Sequence, residues 1–523
     1  MISTLSHLFR LARAGFVFAR EGVLALVDPA AVPAPARLGL KLARLIERPA
    51  AGGSSVRLSA ALTRLGPTYV KLGQFLATRP DVVGMALARD LESLQDKMAP
   101  FPQAEAEAAV ATALGKPPRE LYVSFGPAVG AASVAQVHKA EIDGPEGRQT
   151  VAVKVLRPGV ERLIKRDLQT LYFAARTAER HDPEARRLRF VEVVDTLARS
   201  VTIEMDLRLE AAAIAEMRDN VKDDPDFRVP GIDWERTAKT VLTLGWIDGI
   251  PLTNRARLDA SGLDLPALGR ALMQTFLRHA LRDGFFHADM HPGNLFVDDQ
   301  GLIVAVDFGI MGRLSPKERR FLAEILYGFI TRNYIRTAQV HFEAGYVPPH
   351  HSVESFAQAI RAIGEPIHNK AASEISMAKL LTLLFEVTGL FDMKTRPELL
   401  LLQKTMVVVE GVARSFDPNL DMWATAEPVV REWIERNLGP VGMLQGAAQG
   451  AGEVGRFLGE VPSLLNRAGT LADQFDAATR DGLVLAPETV AAIGQAEARR
   501  NRWTTVALWA IAALLAVVIW KVV

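Results

Sequence analysis

The chain has 523 residues, no cysteine and a formal net charge of +1 at pH 7. This length accommodates two or three domains with a large core. The missing cysteines exclude disulfides, thiolate metal sites, iron–sulfur clusters and cysteine nucleophiles, and the balanced charge gives no basis for a nucleic-acid partner.

The N-terminal stretch predicts an amphipathic helix over residues 2–26, with Arg10, Arg13 and Arg20 in it. It lacks the apolar core and cleavage site of a signal peptide, so we expect it to be retained. Two placements stay open. The arginines suit anionic headgroups, whereas the leucines, phenylalanines and valines suit either a lipid surface or the folded domain.

A second helix is predicted over residues 67–79, between Gly66-Pro67 and Pro80. Lys71 and Gln74 lie three positions apart, so they share one face of it. Spacing alone favours an ordinary amphipathic helix with a solvated lysine.

Residues 151–155 alternate as an apolar strand that carries Lys154. Protein kinases keep the lysine that holds the α and β phosphates in a strand of this kind. The preceding segment, residues 127–138, stands where their glycine-rich loop belongs. Alanines there crowd the approach of the backbone to phosphate, so we expect this loop to handle nucleotide differently. A solvated edge lysine is the competing interpretation.

Residues 160–194 have helical periodicity and indicate an insertion in the small lobe. Residues 202–216 predict one further helix that bears Glu204, Asp206 and Glu210. Taken alone, these acidic side chains indicate a solvated face.

The strongest motif combines residues 287–294 with Asp307-Phe308-Gly309. Protein kinases present an aspartate, an asparagine and an Asp-Phe-Gly tripeptide in this order. The first aspartate lies beside the attacking oxygen, and the other two polar residues hold magnesium against the phosphates. Asp289 is therefore the candidate base or water-orienting group, and Asn294 and Asp307 are the candidate metal ligands.

A zinc hydrolase site made of His287, Asp289 and His291 is the competing interpretation of this motif. It is less favoured, because it leaves Asn294 and Asp307 without a role.

Downstream, residues 294–297 and 303–306 predict a β-hairpin. Residues 315–318, Ser-Pro-Lys-Glu, predict a helix start with a capping box, and helical periodicity continues to about residue 437. Kinases use an Ala-Pro-Glu tripeptide to end the segment that docks peptides, and none lies close behind Asp307. The tripeptide Ala486-Pro487-Glu488 is 179 positions further along the chain, too distant for that role. Hydrolysis of ATP, or phosphorylation of a small lipid-like molecule, is therefore favoured over protein phosphorylation.

Residues 503–520 contain no charged residue, and the stretch through Val523 has about the twenty residues needed to span a bilayer. Arg499, Arg500 and Arg502 precede it, which predicts a single-pass membrane protein with its main domain in the cytoplasm. Residues 440–500 predict a flexible or interfacial connector. A buried soluble helix is the competing interpretation of the terminal stretch.

Several of these motifs together resemble the UbiB family of atypical kinases, which supports ubiquinone synthesis. They are Lys71-Leu72-Gly73-Gln74, the alanine-rich loop ending in Ser133, Glu204-Met205-Asp206, and the motifs at 287–294 and 307. The resemblance covers about residues 5–415.

The resemblance implies a kinase-like fold that uses ATP and Mg²⁺, with the Lys71 helix covering the place where a peptide substrate would lie. It implies that Glu210 pairs with Lys154, and that Glu204 and Asp206 face the Lys71 helix. The implied catalytic and nucleotide-binding residues are Asp289, Lys154, Glu210, Ala131, Ala132, Ser133, Val134 and Leu244. The implied regulatory residues are Lys71, Gly73, Gln74, Glu204 and Asp206. Gly245, in the expected hinge at 242–249, departs from the acidic residue usual in the family and leaves selectivity for adenine open.

The expected class is α+β: a bilobal, mostly helical, atypical protein-kinase-like fold with an N-terminal helical extension and a C-terminal transmembrane helix. The expected domains are the extension at 1–120, a small lobe with a helical insertion at 121–248, a large lobe at 249–437, a connector at 438–502 and the membrane helix at 503–523.

The resemblance implies a kinase-fold ATPase anchored in the bacterial inner membrane and required for ubiquinone biosynthesis, acting on or regulating the hydroxylation of quinone precursors. A protein or small-molecule kinase of the same pathway, and a nucleotide-binding scaffold for its enzymes, are the alternatives. Membrane lipid and polyprenyl-phenol precursors are the expected partners, with biosynthetic enzymes and a homodimer left open.

Overall fold

The computed structural model describes residues 2–23, 46–47, 54–77, 83, 87, 90–91, 98–145, 147–181, 186, 188–368, 387, 389–393 and 397–439. The chain divides into two compact units, Met1–Ile434 and Glu435–Val523. No helix within the described ranges is long and apolar enough to cross a membrane. The predicted membrane helix at 503–523 and the connector at 440–500 lie outside those ranges.

Helices account for most of the regular structure in the described residues. In chain order they are α1 Ile2–Arg20, α2 Ser54–Leu65, α3 Pro67–Ala77, α4 Gln103–Leu114, α5 Pro118–Leu121, α6 Val160–His181, α7 Phe190–Glu204, α8 Leu207–Val221, α9 Arg255–Ala260, α10 Leu265–Arg278, α11 Pro316–Ile330, α12 Tyr334–Glu343, α13 Val353–His368, α14 Pro397–Phe416 and α15 Met422–Leu438.

The strands of the described residues all lie between α5 and α11 in the chain. They are β1 Ser124–Ala131, β2 Ala135–Gly144, β3 Gly147–Leu156, β4 Phe227–Arg228, β5 Val241–Gly245, β6 Ile250–Pro251, β7 Phe285–His287, β8 Leu295–Val297, β9 Ile303–Ala305 and β10 Met311–Arg313. Helices and sheets together confirm the α+β class.

The three N-terminal helices share an apolar cluster of their own. α1 buries Ala14 and Val17 against Leu58, Ala61 and Leu62 of α2. α1 also contacts α6, where the His7 ring nitrogen lies 3.1 Å from the Thr170 hydroxyl. The helix predicted from residue 2 is therefore present through Arg20, and one of its faces packs on the protein.

Strands β1, β2, β3 and β5 form an antiparallel sheet in that order. Because side chains alternate along a strand, Val151, Val153 and Val155 of β3 lie on one face, where Val110 of α4 covers them. Lys154 consequently points to the opposite face. β3 thus carries both a packed core and a polar group for the site.

The insertion between β3 and β5 contains α6, α7 and α8, which confirms its helical character. The single helix predicted over residues 202–216 is wrong. α7 ends at Glu204, and Asp206 starts α8 as an N-cap whose side chain accepts a hydrogen bond from the Arg208 backbone N–H. Aspartate favours such a cap because it satisfies a donor that the first helical turn leaves unpaired.

The large-lobe core brings α10 and α14 together beside short strands. One sheet has the order β4-β9-β8-β6, and β7 pairs with β10. The predicted hairpin is confirmed, because β8 and β9 pair antiparallel with Phe296 opposite Val304. The capping box is confirmed too: Ser315 accepts from the Glu318 backbone, and Glu318 accepts from that of Ser315.

Candidate nucleotide and metal site

His287 organises the loop that follows β7. Its ring is fully buried, accepts a hydrogen bond at Nδ1 from the Asp289 backbone N–H (3.1 Å), and approaches the Val306 carbonyl oxygen with Nε2 (3.4 Å). These partners fix a neutral tautomer with the proton on Nε2. Burial agrees with this state, because it lowers the pKa of His287. The ring therefore joins the Asp289 loop to the residue that precedes Asp307.

Asn294 closes the same loop onto Asp289. Its side-chain Nδ2 donates to the Asp289 backbone oxygen (3.1 Å) and to the Asp289 Oδ2 (3.3 Å). The Val306 N–H donates to the Asn294 backbone oxygen over 2.9 Å, which places the loop beside the end of β9. Because the side-chain nitrogen of Asn294 donates these hydrogen bonds, its side-chain oxygen is the atom that can bind a cation.

Asp307 adopts a φ of 62°, a left-handed conformation that aspartate tolerates better than most residues. Its side chain is 49% exposed, and Oδ1 lies 3.1 Å from the Lys154 Nζ. The ammonium of Lys154 is the main cause that lowers the pKa of Asp307 to about 2, and the charge of Lys71 contributes. The carboxylate is therefore ionised at neutral pH and open to solvent.

Lys154 bridges two carboxylates. Its Nζ donates to both carboxylate oxygens of Glu210, at 2.8 and 3.0 Å, and to Asp307. Burial opposes the charge of Lys154, but the two carboxylates outweigh it and raise its pKa. Burial also raises the pKa of Glu210, against the pull of Lys154. The pairing of Lys154 with Glu210 that the resemblance implied is confirmed.

The Lys71 helix, α3, lies beside this group. The Lys71 Nζ is 3.0 Å from a carboxylate oxygen of Glu204 at the end of α7, which confirms that Glu204 faces α3. Gly73 is buried in α3, and Gln74 is half-buried one turn from Lys71.

Asp206 behaves differently from Glu204. Its hydrogen bonds go to Arg208, with Nη2 of that guanidinium 2.6 Å from Oδ2. Its observed role is thus the start of α8.

The alanine-rich loop is a closed turn between β1 and β2. The Ala132 N–H donates to the Ala135 carbonyl oxygen over 2.8 Å, and the Val134 carbonyl oxygen accepts from the Arg157 N–H over 2.7 Å. Ser133 and Val134 are buried, and Ala131 ends β1. Nucleotide contact by this loop stays a prediction, and half-buried Ala131 and Ala132 are more accessible for it than Ser133 and Val134.

The expected hinge begins inside β5. Leu244 is buried and lies opposite Ala152 of β3 in the sheet. The Gly245 N–H donates to the Gly231 carbonyl oxygen over 2.8 Å, so this backbone donor is already used within the protein. A base-binding role for Leu244 stays a prediction.

Thr405 of α14 is a site-supporting residue that the sequence reasoning missed. Its buried hydroxyl lies 3.0 Å from the carbonyl oxygen of Ala288, directly before Asp289, and 2.8 Å from that of Leu401, so the two oxygens share its one proton. An isolated threonine in a helix gives no local signal for such a contact.

The competing zinc arrangement is not assembled in the part of the chain that is described. His287, Asp289 and His291 do not bring their ligand atoms together. Nδ1 of His291 instead accepts a hydrogen bond from the Gly293 N–H over 3.1 Å.

Two family models match the chain, and proteins of similar sequence carry the name of the same family. Residues 93–341 match the ABC1 atypical kinase-like domain, and residues 360–421 match the UbiB helical domain. A "Probable protein kinase UbiB" of Marinobacter nauticus is 39% identical over 448 residues, which cover 84% of this chain and 81% of that protein. A protein of the same name from Cellvibrio japonicus is 36% identical over 512 residues, covering 96% of this chain and 90% of the relative.

A solved structure is also similar. The erythromycin complex of Rv3197 from Mycobacterium tuberculosis superposes with a TM-score of 0.51 at 25% identity, covering 69% of this chain and 90% of that one.

The fold and the grouping of Lys154, Glu210 and Asp307 define a kinase-like protein of the atypical class. More narrowly, the chain belongs to the UbiB family.

Proposed function

We propose that this chain binds ATP with Mg²⁺ and acts as an ATPase that supports ubiquinone biosynthesis. The observation that carries the proposal is the bridge formed by Lys154 between Glu210, at 2.8 Å, and Asp307, at 3.1 Å. Kinases build this arrangement to hold phosphates next to a metal ion.

The residues fit the cofactors by their chemistry. Mg²⁺ prefers hard oxygen ligands, and Asn294 and Asp307 offer an amide oxygen and an ionised carboxylate. Bound there, the ion would neutralise phosphate charge. Lys154 would donate to phosphate oxygens while Glu210 holds it in place. Asp289, fixed by Asn294 and His287, would orient the attacking water or accept its proton.

Hydrolysis, or transfer to a small lipid-like molecule, is favoured over transfer to a protein. α11 begins at Pro316 directly after β10, so the chain between Gly309 and Pro316 is too short for a peptide-docking segment. Helix α3 further restricts the space in which a peptide substrate could bind. Its Lys71 lies 3.0 Å from Glu204 and close enough to Asp307 to lower the pKa of that carboxyl.

Membrane association is the second part of the proposal. The face of α1 that does not pack exposes Leu5 (74%), Phe9 (73%) and Phe16 (49%), with Arg13 also exposed. Apolar and cationic groups on one helix face suit an anionic lipid surface. Together with the predicted membrane helix at 503–523, this supports an inner-membrane protein that handles polyprenyl-phenol precursors.

The test is Asp307→Asn in the full chain, scored for ATP turnover and for cellular ubiquinone. We expect ATP turnover to fall about a hundredfold or more and ubiquinone to fall to about a tenth or less, because the change removes a metal-binding charge. Asp299→Asn is the matched control, since Asp299 is exposed in the β8–β9 turn.

The outcomes separate the alternatives. Preserved ubiquinone would indicate a nucleotide-binding scaffold. Appearance of the labelled γ-phosphate in a protein or small molecule, instead of as inorganic phosphate, would indicate a kinase.

A further inference from the structure

Three potential metal ligands meet far from the nucleotide site in the sequence. His350, His351 and Asp392 bring their ligand atoms within 4.8 Å of one another. Nε2 of His351 lies 3.3 Å, and Nε2 of His350 lies 3.6 Å, from the same oxygen of Asp392. No other group of three or more histidine, aspartate or glutamate side chains converges in this way among the described residues.

The surrounding structure holds these groups in position. The two histidines lie in the turn between α12 and α13, where the His351 N–H donates to the Pro348 carbonyl oxygen over 3.3 Å. Phe391, next to Asp392, is buried, and its ring centre is 5.2 Å from that of His351 and 5.0 Å from that of Phe356. The cluster thus rests on the aromatic core of α13.

Asp392 itself has a left-handed backbone, with a φ of 48°. Aspartate tolerates this conformation better than most non-glycine residues. The carboxylate of Asp392 lies within 3.6 Å of both imidazoles.

Two of the three distances between ligand atoms are close to those around a tetrahedral transition-metal ion, and the third is within 4.8 Å. Zinc bonds of about 2.0–2.1 Å place tetrahedral ligand atoms about 3.3–3.4 Å apart, close to the 3.3 and 3.6 Å observed. Two nitrogen ligands disfavour Mg²⁺ and Ca²⁺, which prefer oxygen. The side chains of His350 and Asp392 are 64% and 68% exposed, so water can complete the coordination.

We propose that His350, His351 and Asp392 form a binding site for Zn²⁺ or a divalent ion of similar chemistry. His351 and Asp392 are 41 positions apart, so the ion would tie the turn before α13 to a point within the UbiB helical domain. Because the three ligands converge only in the folded chain, binding of the ion should stabilise the folded state.

The test is equilibrium dialysis of chelator-treated full-length protein against micromolar Zn²⁺ in millimolar Mg²⁺, with bound zinc counted per chain. The excess Mg²⁺ occupies the oxygen ligands at Asp307. We expect His351→Ala and Asp392→Asn each to bind one zinc fewer than the parent chain, or to bind it at least tenfold more weakly. His181→Ala is the matched control, because this exposed histidine hydrogen-bonds the Thr177 carbonyl oxygen and belongs to no group of three potential metal ligands among the described residues.

Thermal unfolding gives an independent readout. Zinc should raise the melting temperature of the parent and of His181→Ala, but not that of Asp392→Asn. That variant changes an exposed side chain, so it should fold even if His351→Ala does not. Equal zinc content and equal thermal shifts in parent and Asp392→Asn would overturn the proposal and leave an imidazole–carboxylate hydrogen bond only. MgATP binding measured on the same samples separates this result from any failure of the nucleotide site.

Discussion

Glu210→Gln tests the division of labour between the two carboxylates that bind Lys154. Glu210 is 8% exposed and accepts two hydrogen bonds from Lys154, at 2.8 and 3.0 Å. Glutamine has nearly the same shape but no charge. Lys154 retains its contact to Asp307 at 3.1 Å, and in the variant this contact becomes its principal ionic one. The ammonium then competes with Mg²⁺ for Asp307.

The magnitude follows from these contacts. A hydrogen bond to a charged group contributes about 1.5–3 kcal/mol, and a neutral one about 1 kcal/mol. Glutamine at position 210 keeps one amide oxygen as an acceptor but loses the charge. The interaction that positions Lys154 should therefore weaken by about 1–2 kcal/mol. We expect the Kd for MgATP to rise about tenfold, since about 1.4 kcal/mol corresponds to a factor of ten.

The assay is isothermal titration calorimetry of MgATP at two or more Mg²⁺ concentrations. Glu324→Gln is the matched control, because Glu324 is 9% exposed and pairs with Arg320 at 2.7 Å, away from the site. It should lose stability but bind nucleotide normally. Unchanged MgATP affinity in Glu210→Gln would refute the positioning role of Glu210.

Three further outcomes are expected. Lys154 is the main cause that lowers the pKa of Asp307 to about 2. The ionised carboxylate therefore contributes to the free energy of unfolding fully above about pH 4, and this contribution is lost as the pH falls toward 2. Lys154→Met should flatten that loss when unfolding is measured in urea. Burial lowers the pKa of His341 to about 4, so between about pH 6.5 and 4 the unfolded chain binds a proton at this residue and the folded chain does not. The free energy of unfolding should therefore fall as the pH drops through this range. His341→Gln should weaken that dependence in the same assay. Gly284→Ala should lower the free energy of unfolding by about 3 kcal/mol or more, because φ is 65° and the new Cβ would lie 2.5 Å from a backbone oxygen. Gly115→Ala is the control, with a φ of 74° and no atom within 4 Å of the new Cβ. It should lower the free energy of unfolding by only about 1 kcal/mol, measured by thermal unfolding.

The features that the sequence predicted correctly have local causes. Alternating valines specify β3 and place Lys154 on its polar face, and Ser315 with Glu318 specifies the start of α11. The β8–β9 hairpin follows from two apolar runs around a turn. Each signal is contained within a few neighbouring residues.

The features that the sequence did not predict depend on competing interactions of one side chain or on contacts between residues far apart in the chain. The sequence pattern places Asp206 inside a helix, but its carboxylate gains more by capping α8 than by lying on a solvated face. Thr405 reaches Ala288 from another helix, and no spacing rule connects them.

The proposed function requires that Asn294 and Asp307 jointly hold a cation that carries ATP. Calorimetry of ATP binding to the folded full-length chain, with Mg²⁺ and with chelator, measures this requirement. We expect binding that requires Mg²⁺ and weakens at least tenfold in both Asn294→Ala and Asp307→Asn. Absence of adenine-nucleotide binding with any divalent cation, or equal binding by both variants, would contradict the proposed function.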